Sequence, residues 1–352
     1  MRYHIVAALL LISALIQGCR EDERKLTTPL AHFDKTVELT VSKTIDFEAL
    51  DILKPRDITI NSKYLLIRDF GASEGRFCAL DVRTGKVYRE LNIGQGPDDV
   101  TSSARPFVTN DTLLVADSNQ GKILLVDVVD DRLVVVGRKP FTARGGFGRC
   151  FLSGNKALMV TSFDSLLIKL TTVDGRIISS LGYPTEGVLS AYPYNLQNTI
   201  YLNSIVAVSP DESKFSLASM SNSLYCFGRI EGDALVLERQ ILYPDMQVRI
   251  REVANVGYDI LLPEHESPAN VIDGFGTKNH VAYLYCGKEM GKSQTAQTIL
   301  VYDWSGKPVM ALNAKEGLSN ILYDSKRNVI VGIAKTPEAI YVEYSLEGII
   351  EL

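Results

Sequence analysis

Side chains able to do chemistry are few in this chain, and their spacing is poor for catalysis. Gly71-Ala72-Ser73-Glu74-Gly75 has the letters of a nucleophile elbow, G-x-S-x-G. That device needs a strand before the serine and a helix after it. Here Arg76 to Val82 reads as another β run, so the elbow is set aside. Glu264-His265-Glu266 offers metal-ligand types, but adjacent loop residues seldom converge without partners, and the other histidines are His4, His32 and His280. A zinc or iron centre built from several imidazoles is not expected. Cys78, Cys150, Cys226 and Cys286 lie far apart without CxxC spacing, each in an apolar run such as Phe77-Cys78-Ala79-Leu80. They read as buried thiols rather than ligands. No P-loop, Rossmann glycine pattern or EF-hand loop is present. The expectation is no catalytic residue, no metal site and no cofactor.

Cys19 is different. Arg2 and His4 form a short positive start, and Ile5–Ile16 is apolar except for Ser13. This has the length of a signal-peptide core and is too short to cross a ~30 Å hydrocarbon layer. Ile16-Gln17-Gly18-Cys19 resembles a bacterial lipobox, with an aliphatic residue at −3 and a small one at −1. The resemblance implies a diacylglycerylated thiol, cleavage before Cys19 and an acylated new amine. Each buried CH₂ contributes ~0.8 kcal/mol, so two or three chains anchor permanently. Residues 1–18 are therefore read as a lipoprotein signal peptide, and 19–35 as the lipidated cysteine with a flexible acidic tether. Arg20-Glu21-Asp22-Glu23 resembles the surface-export signal of Bacteroidetes lipoproteins, although an ordinary solvated tether has the same composition. The expected location is the outer membrane at the cell surface, with its periplasmic face as the alternative.

The elements that must position any site come from a repeat. The chain has 352 residues, a formal charge of −5 and 46% hydrophobic residues, enough for a core and without the basic footprint of a nucleic-acid binder. A polar turn between two β runs recurs around Gly85, Asp131, Gly175, Gly232, Gly306 and Gly348, at spacings of 46, 44, 57, 74 and 42. Three of these match the ~40–50 residues of a four-stranded propeller blade, and the other two carry insertions near 183–204 and 245–269. Runs such as Tyr64-Leu65-Leu66-Ile67-Arg68 and Val329-Ile330-Val331-Gly332-Ile333 read as its strands. Residues 36–352 are thus expected to form an all-β fold, a six-bladed β-propeller of four-stranded antiparallel blades. Its ring would be closed by an N-terminal strand within Thr36–Phe47 pairing with the last blade.

With its lipobox and the turn Gly94-Gln95-Gly96-Pro97-Asp98-Asp99, the chain resembles the TolB-like six-bladed propeller lipoproteins of Bacteroidetes, and more distantly the NHL-type propellers. The resemblance implies a fold and a location but no reaction.

Blade parity then sorts the loops. Loops between strands one and two, and three and four, fall on one face and are short here; inter-blade loops and those between strands two and three fall on the other and are long. Long loops on a rigid scaffold are where binding concentrates. Candidate binding residues on that face are Asp69, Asp117 and Asp164 near ends of second strands, Arg105, Arg144 and Arg149, and Tyr183, Tyr192 and Tyr194. Each has a plainer reading: the aspartates could hold local amides, the arginines could be exposed loop residues, and the tyrosines could pack their loop. The function expected is a membrane-anchored binding module for a protein, peptide or glycan, without nucleic acid. The alternatives are a metal-dependent hydrolase or lyase at the channel mouth and a structural subunit of an outer-membrane assembly.

Overall fold

The computed structural model describes residues 28–352 except 72–75, 93, 143–148, 161–164, 186–189, 191, 244–248, 254–256, 262–267, 290–294 and 336–337. After a 3-10 turn, Pro29–His32, come two short strands, β1 (Thr36–Glu38) and β2 (Val41–Asp46). Four separate four-stranded antiparallel sheets follow. The first holds β3 (Pro55–Ile60), β4 (Leu65–Asp69), β5 (Arg76–Leu80) and β6 (Val87–Asn92); the second holds β7 (Arg105–Thr109), β8 (Thr112–Asp117), β9 (Lys122–Val129) and β10 (Arg132–Pro140). The third holds β11 (Arg149–Leu152), β12 (Lys156–Val160), β13 (Leu166–Thr172) and β14 (Ile177–Gly182). Helix α1 (Tyr194–Tyr201) leads into the fourth, made of β15 (Ser204–Val208), β16 (Lys214–Ser219), β17 (Leu224–Glu231) and β18 (Ala234–Leu242). A hairpin of β19 (Arg249–Val253) and β20 (Gly257–Leu261) comes next. The remaining strands, β21 (Pro268–Gly276), β22 (His280–Glu289), β23 (Ala296–Asp303), β24 (Pro308–Asp324), β25 (Val329–Lys335) and β26 (Ala339–Ser345), join β1 and β2 in one eight-stranded sheet.

That larger sheet departs from the expected six separate blades, and the cause is β24. Its 17 residues run without a loop from an outer position beside β23, where Leu300 faces Ala311, to an inner position beside β25, where Leu322 faces Val331. β2 lies antiparallel on β26, with Thr44 opposite Val342, and β1 lies parallel to β24, with Val37 opposite Leu312. The N-terminal contacts also begin earlier than a tether reaching residue 35 allows. Pro29 is buried, the Phe33 ring meets Tyr302 edge-on at 5.0 Å, and the His32 ring lies 5.0 Å from Tyr243. Residues 1–27, with Cys19, lie outside the described residues.

Strand alternation builds the core. Leu65 and Ile67 pack toward β25 and Tyr341, whereas Leu66 between them packs toward Val115 of β8. The same division recurs around the molecule, so each layer of apolar side chains is shared by two successive sets of strands. Burying one such leucine contributes about 2 kcal/mol, and the layer exists only where both neighbours are present. The repeated turn has a backbone reason: Gly85, Gly175, Gly232, Gly306 and Gly348 have φ of 75°, 92°, 62°, 78° and 73°, and Asp131 has 62°. This left-handed region is open to glycine and tolerated by aspartate.

The inner strands β3, β7, β11, β15 and β21 and the C-terminal part of β24 neighbour one another in a closed circuit. They surround a cavity of about 550 Å³. The architecture is an all-β propeller of four-stranded antiparallel blades. On the face with short loops, adjacent blades are clasped by carboxylates: Asp111 accepts from the amide and hydroxyl of Ser62, both at 2.6 Å. Glu212 accepts likewise from Ser153, at 2.7 and 2.6 Å.

Candidate functional site: the channel mouth

The inner strands run side by side around the channel, and the cavity between them extends to the short-loop hairpins, where Asn110, Asp111, Ser209 and Glu212 line it. Asp57 of β3, Arg105 of β7, Asp273 of β21 and Asn320 of β24 all line the cavity. Asp57 accepts from Arg68 Nη1 at 2.8 Å, and Arg68 is buried at the end of β4 with its guanidinium carbon 4.0 Å from the Phe70 ring centroid. Arg56 reaches the same ring at 5.3 Å. Burial lowers the basicity of Arg68, Asp57 opposes that, and Arg105 and Arg56 lower it further.

Asp273 bridges two inner strands. Its Oδ1 accepts the Gly274 amide at 2.9 Å, and its Oδ2 accepts the Ile321 amide at 2.9 Å and Asn320 Nδ2 at 3.3 Å. Burial pushes its carboxyl up to about 6, Asp57 adds to this, and the three donors pull the other way. A perturbed carboxyl in a cavity suggests function, but this one is already committed to backbone amides. Among the described residues no three metal-ligating side chains come together.

Several sequence candidates are placed elsewhere. Asp69 is buried and accepts the amides of Leu53 at 3.3 Å, Lys54 at 2.8 Å and Gly71 at 2.9 Å. Asp117 is buried and accepts the Thr101 amide and hydroxyl at 2.6 and 2.8 Å and the amides of Asn119 and Gln120 at 3.0 and 3.2 Å. Both carboxylates are therefore corrected from mouth-facing groups to loop anchors: a buried carboxylate near exposed ends of backbone takes the nearest amides. Tyr183 is corrected in the same way. It is buried, stacked 6.0 Å from Tyr194 and 5.9 Å from Tyr201, with its hydroxyl accepting from Asn198 Nδ2 at 2.7 Å. Tyr192 is half-buried against the core, and its carbonyl accepts from Gln197 Nε2 at 2.8 Å. Tyr194 ends the stack and is 58% exposed. Of the three arginines, Arg105 lines the cavity. Arg149 opens β11, where it pairs with Met159, and its side chain lies outside the described residues, as do Arg144 and Asp164.

The turn Gly94–Asp99 is also structural. Asp99 folds back to accept the Gly96 amide at 2.7 Å, and a Cβ on Gly94 or Gly96 would lie 2.4 or 2.6 Å from that carboxylate. The described thiols form no disulfide; burial pushes Cys150 and Cys226 up to about 12. Sequence reading missed Asp57, Arg68 and Asp273. Arg68 carried a signal, because an arginine closing the apolar run Leu65-Leu66-Ile67 must find partners if it is buried.

No family model matches the chain, and no curated protein does. Among solved structures it is similar to a protein from Bacteroides fragilis described as exported, at 11% identity over 88% of this chain and 98% of that one, with a TM-score of 0.50. It is also similar to BamB from Moraxella catarrhalis, at 12% identity over 87% and 99%, TM-score 0.44. A functionally unknown protein from Desulfotomaculum acetoxidans matches at 14% identity over 73% and 71%, TM-score 0.43. At these identities the likeness is one of fold.

Proposed function

We propose that this protein is a binding module of the bacterial envelope, held to the outer membrane through acylated Cys19, which takes a protein, peptide or glycan at the cavity of its central channel. The observation that carries this reading is the convergence of Asp57, Arg105, Asp273 and Asn320, from separated parts of the chain, on one cavity. A concave site with a few convergent polar groups on a rigid frame is the usual form of a binding pocket. In this reading the eight-stranded sheet counts as two blades joined through β24, which makes the propeller six-bladed and β2 its closing strand. The exported Bacteroides protein of similar fold fits an envelope location, as does the resemblance of residues 16–19 to a lipobox.

The test is a thermal-shift screen of the detergent-purified protein against glycans, peptides and divalent metals, repeated with Arg105→Ala. A shift with a peptide or glycan that the variant loses supports the reading. Silence across the screen, a shift indifferent to Arg105, or a response confined to calcium or zinc overturns it. Separately, Cys19→Ala is expected in the soluble fraction; a variant that stays with the membrane overturns the anchor.

A further inference from the structure

We propose that the rim where the N-terminal strap docks, at the end of β18, lies against the bilayer with Leu30 and Leu242 meeting lipid, and that the opposite rim, at β9 and β10, points away from the membrane. The inference rests on the acylated Cys19 of the reading above and adds the surface that the membrane covers.

The first support is where the strap is fixed. Pro29 is buried, the Thr28 carbonyl accepts the Ala31 amide at 3.1 Å, and the Leu30 carbonyl accepts the Phe33 amide at 3.1 Å. The His32 ring lies 5.0 Å from that of Tyr243, the residue after β18, and the Phe33 ring lies 5.0 Å from that of Tyr302 in β23. Tyr243 is itself buried, and its carbonyl accepts the Ser223 hydroxyl. Further along, the Lys35 carbonyl accepts the Ala311 amide at 2.8 Å, and Leu39 is buried. The chain is therefore pinned to one place on the rim from Pro29 onward. In the closed circuit of inner strands that place belongs to the sheets of β15 and β21, and those of β3 and β7 lie opposite.

The second support is length. Only ten residue steps separate Cys19 from Pro29. A fully extended chain spans at most ~3.6 Å per residue, so Pro29 lies within ~36 Å of the lipid-bearing thiol. A fold of this size is about 50 Å across. The leash is thus too short for the opposite rim to reach the bilayer. Exposure alone would not choose the surface, because Val136 of β10 is 56% exposed and Val129 of β9 44%. On the near rim, Leu30 stands two residues before His32 and Leu242 immediately before Tyr243, and each is 38% exposed. Apolar side chains held this close to an acyl anchor leave water by entering the lipid surface, and their burial adds to the hold of the acyl chains.

The test places the acylated full chain in phosphatidylcholine vesicles, with and without a doxyl-labelled phosphatidylcholine as quencher. Bimane is attached in turn at Leu30→Cys, Leu242→Cys and Val129→Cys, and the unsubstituted chain, whose Cys78, Cys226 and Cys286 are buried, gives the background. All three sites are exposed to water, so each variant should keep its melting temperature, and soluble iodide should quench the three labels alike in detergent. The doxyl lipid is expected to quench the labels at Leu30→Cys and Leu242→Cys by about twofold, as for side chains at the depth of the headgroup and acyl boundary, and to leave that at Val129→Cys unchanged. Equal quenching at all three positions, or none at Leu30→Cys or at Leu242→Cys in chains that float with the vesicles, overturns the docking surface and leaves the anchor standing. If the unsubstituted chain does not float with the vesicles, the anchor reading falls and the surface falls with it.

Discussion

Asn270 offers the sharpest test of how the blades are joined. It lies on β21 with no exposure; its Oδ1 accepts the Tyr225 hydroxyl at 2.7 Å, and its Nδ2 donates to the carbonyls of Ser219 at 2.9 Å and Asn222 at 3.0 Å. Its own amide donates to the Met220 carbonyl at 2.8 Å and survives any substitution other than proline. Asn270→Ala therefore leaves one phenol hydrogen and two carbonyls without their partner in a dry place. Each buried group so stranded costs about 1–3 kcal/mol, with carbonyls at the lower end because they have a second lone pair, so a loss of about 3–5 kcal/mol is expected. Trp304, the chain's one tryptophan, is buried in the same apolar cluster as Tyr225 and reports the loss by fluorescence during urea unfolding. Asn270→Asp adds a diagnostic of sign. Its carboxylate still accepts from Tyr225 but faces two carbonyl oxygens, so the fold favours its protonated form and raises its pKa above the unfolded value of about 3.9. The stability of that variant is then fullest below pH 4 and falls as pH rises, leaving a larger deficit at pH 8 than at pH 5. An Asn270→Ala variant within 1 kcal/mol of the native protein, or an Asn270→Asp deficit flat with pH, would refute the assignment.

Three further outcomes are expected. Asp273, pushed up to about 6, favours the fold below pH 4 and loses that contribution as pH passes through 6; Asp273→Asn should flatten the slope by on the order of 2 kcal/mol, read by calorimetry from pH 4 to 8, and an unaltered slope counts against it. Cys150 and Cys226, whose thiolates are suppressed by burial, should resist an aromatic disulfide reagent at pH 8 until denaturant is added, so rapid native labelling would be the contrary result. Removing residues 28–46 should bare the edge of β26 and give dimers or larger species on size exclusion, and a clean monomer with native melting would contradict the closure.

The parts of the fold that were legible are those where backbone and pattern speak together. The recurring turn shows in the sequence because each copy needs a residue tolerant of positive φ, and the strands show because residues like Leu65, Leu66 and Ile67 must serve two layers. β24 was not legible: Lys315-Glu316-Gly317 has the look of a turn, yet the chain continues straight through it. The site was legible only in outline. Arg105 lines the cavity, but a carboxylate ending a strand has the same letters whether it faces a ligand or holds amides, and Asp69 and Asp117 hold amides. Asp57 and Asp273 sit within strands and gain meaning only when distant blades are brought together.

The N-terminal strap also sets an order in time. Ser42 Oγ donates to the Glu343 carbonyl across 301 positions of sequence, and Glu38 meets Asn313 across 275. Closing a loop of that length costs about 2 kcal/mol more than closing a single blade of some forty residues, because the entropy grows with the logarithm of length. Contacts this remote also slow folding. A chain synthesised from its N-terminus holds β1 unmatched until β24 arrives and β2 until β26 arrives, so the first strands made are among the last to find their place. The ring therefore closes only once the last blade has been made, through contacts that span almost the whole chain.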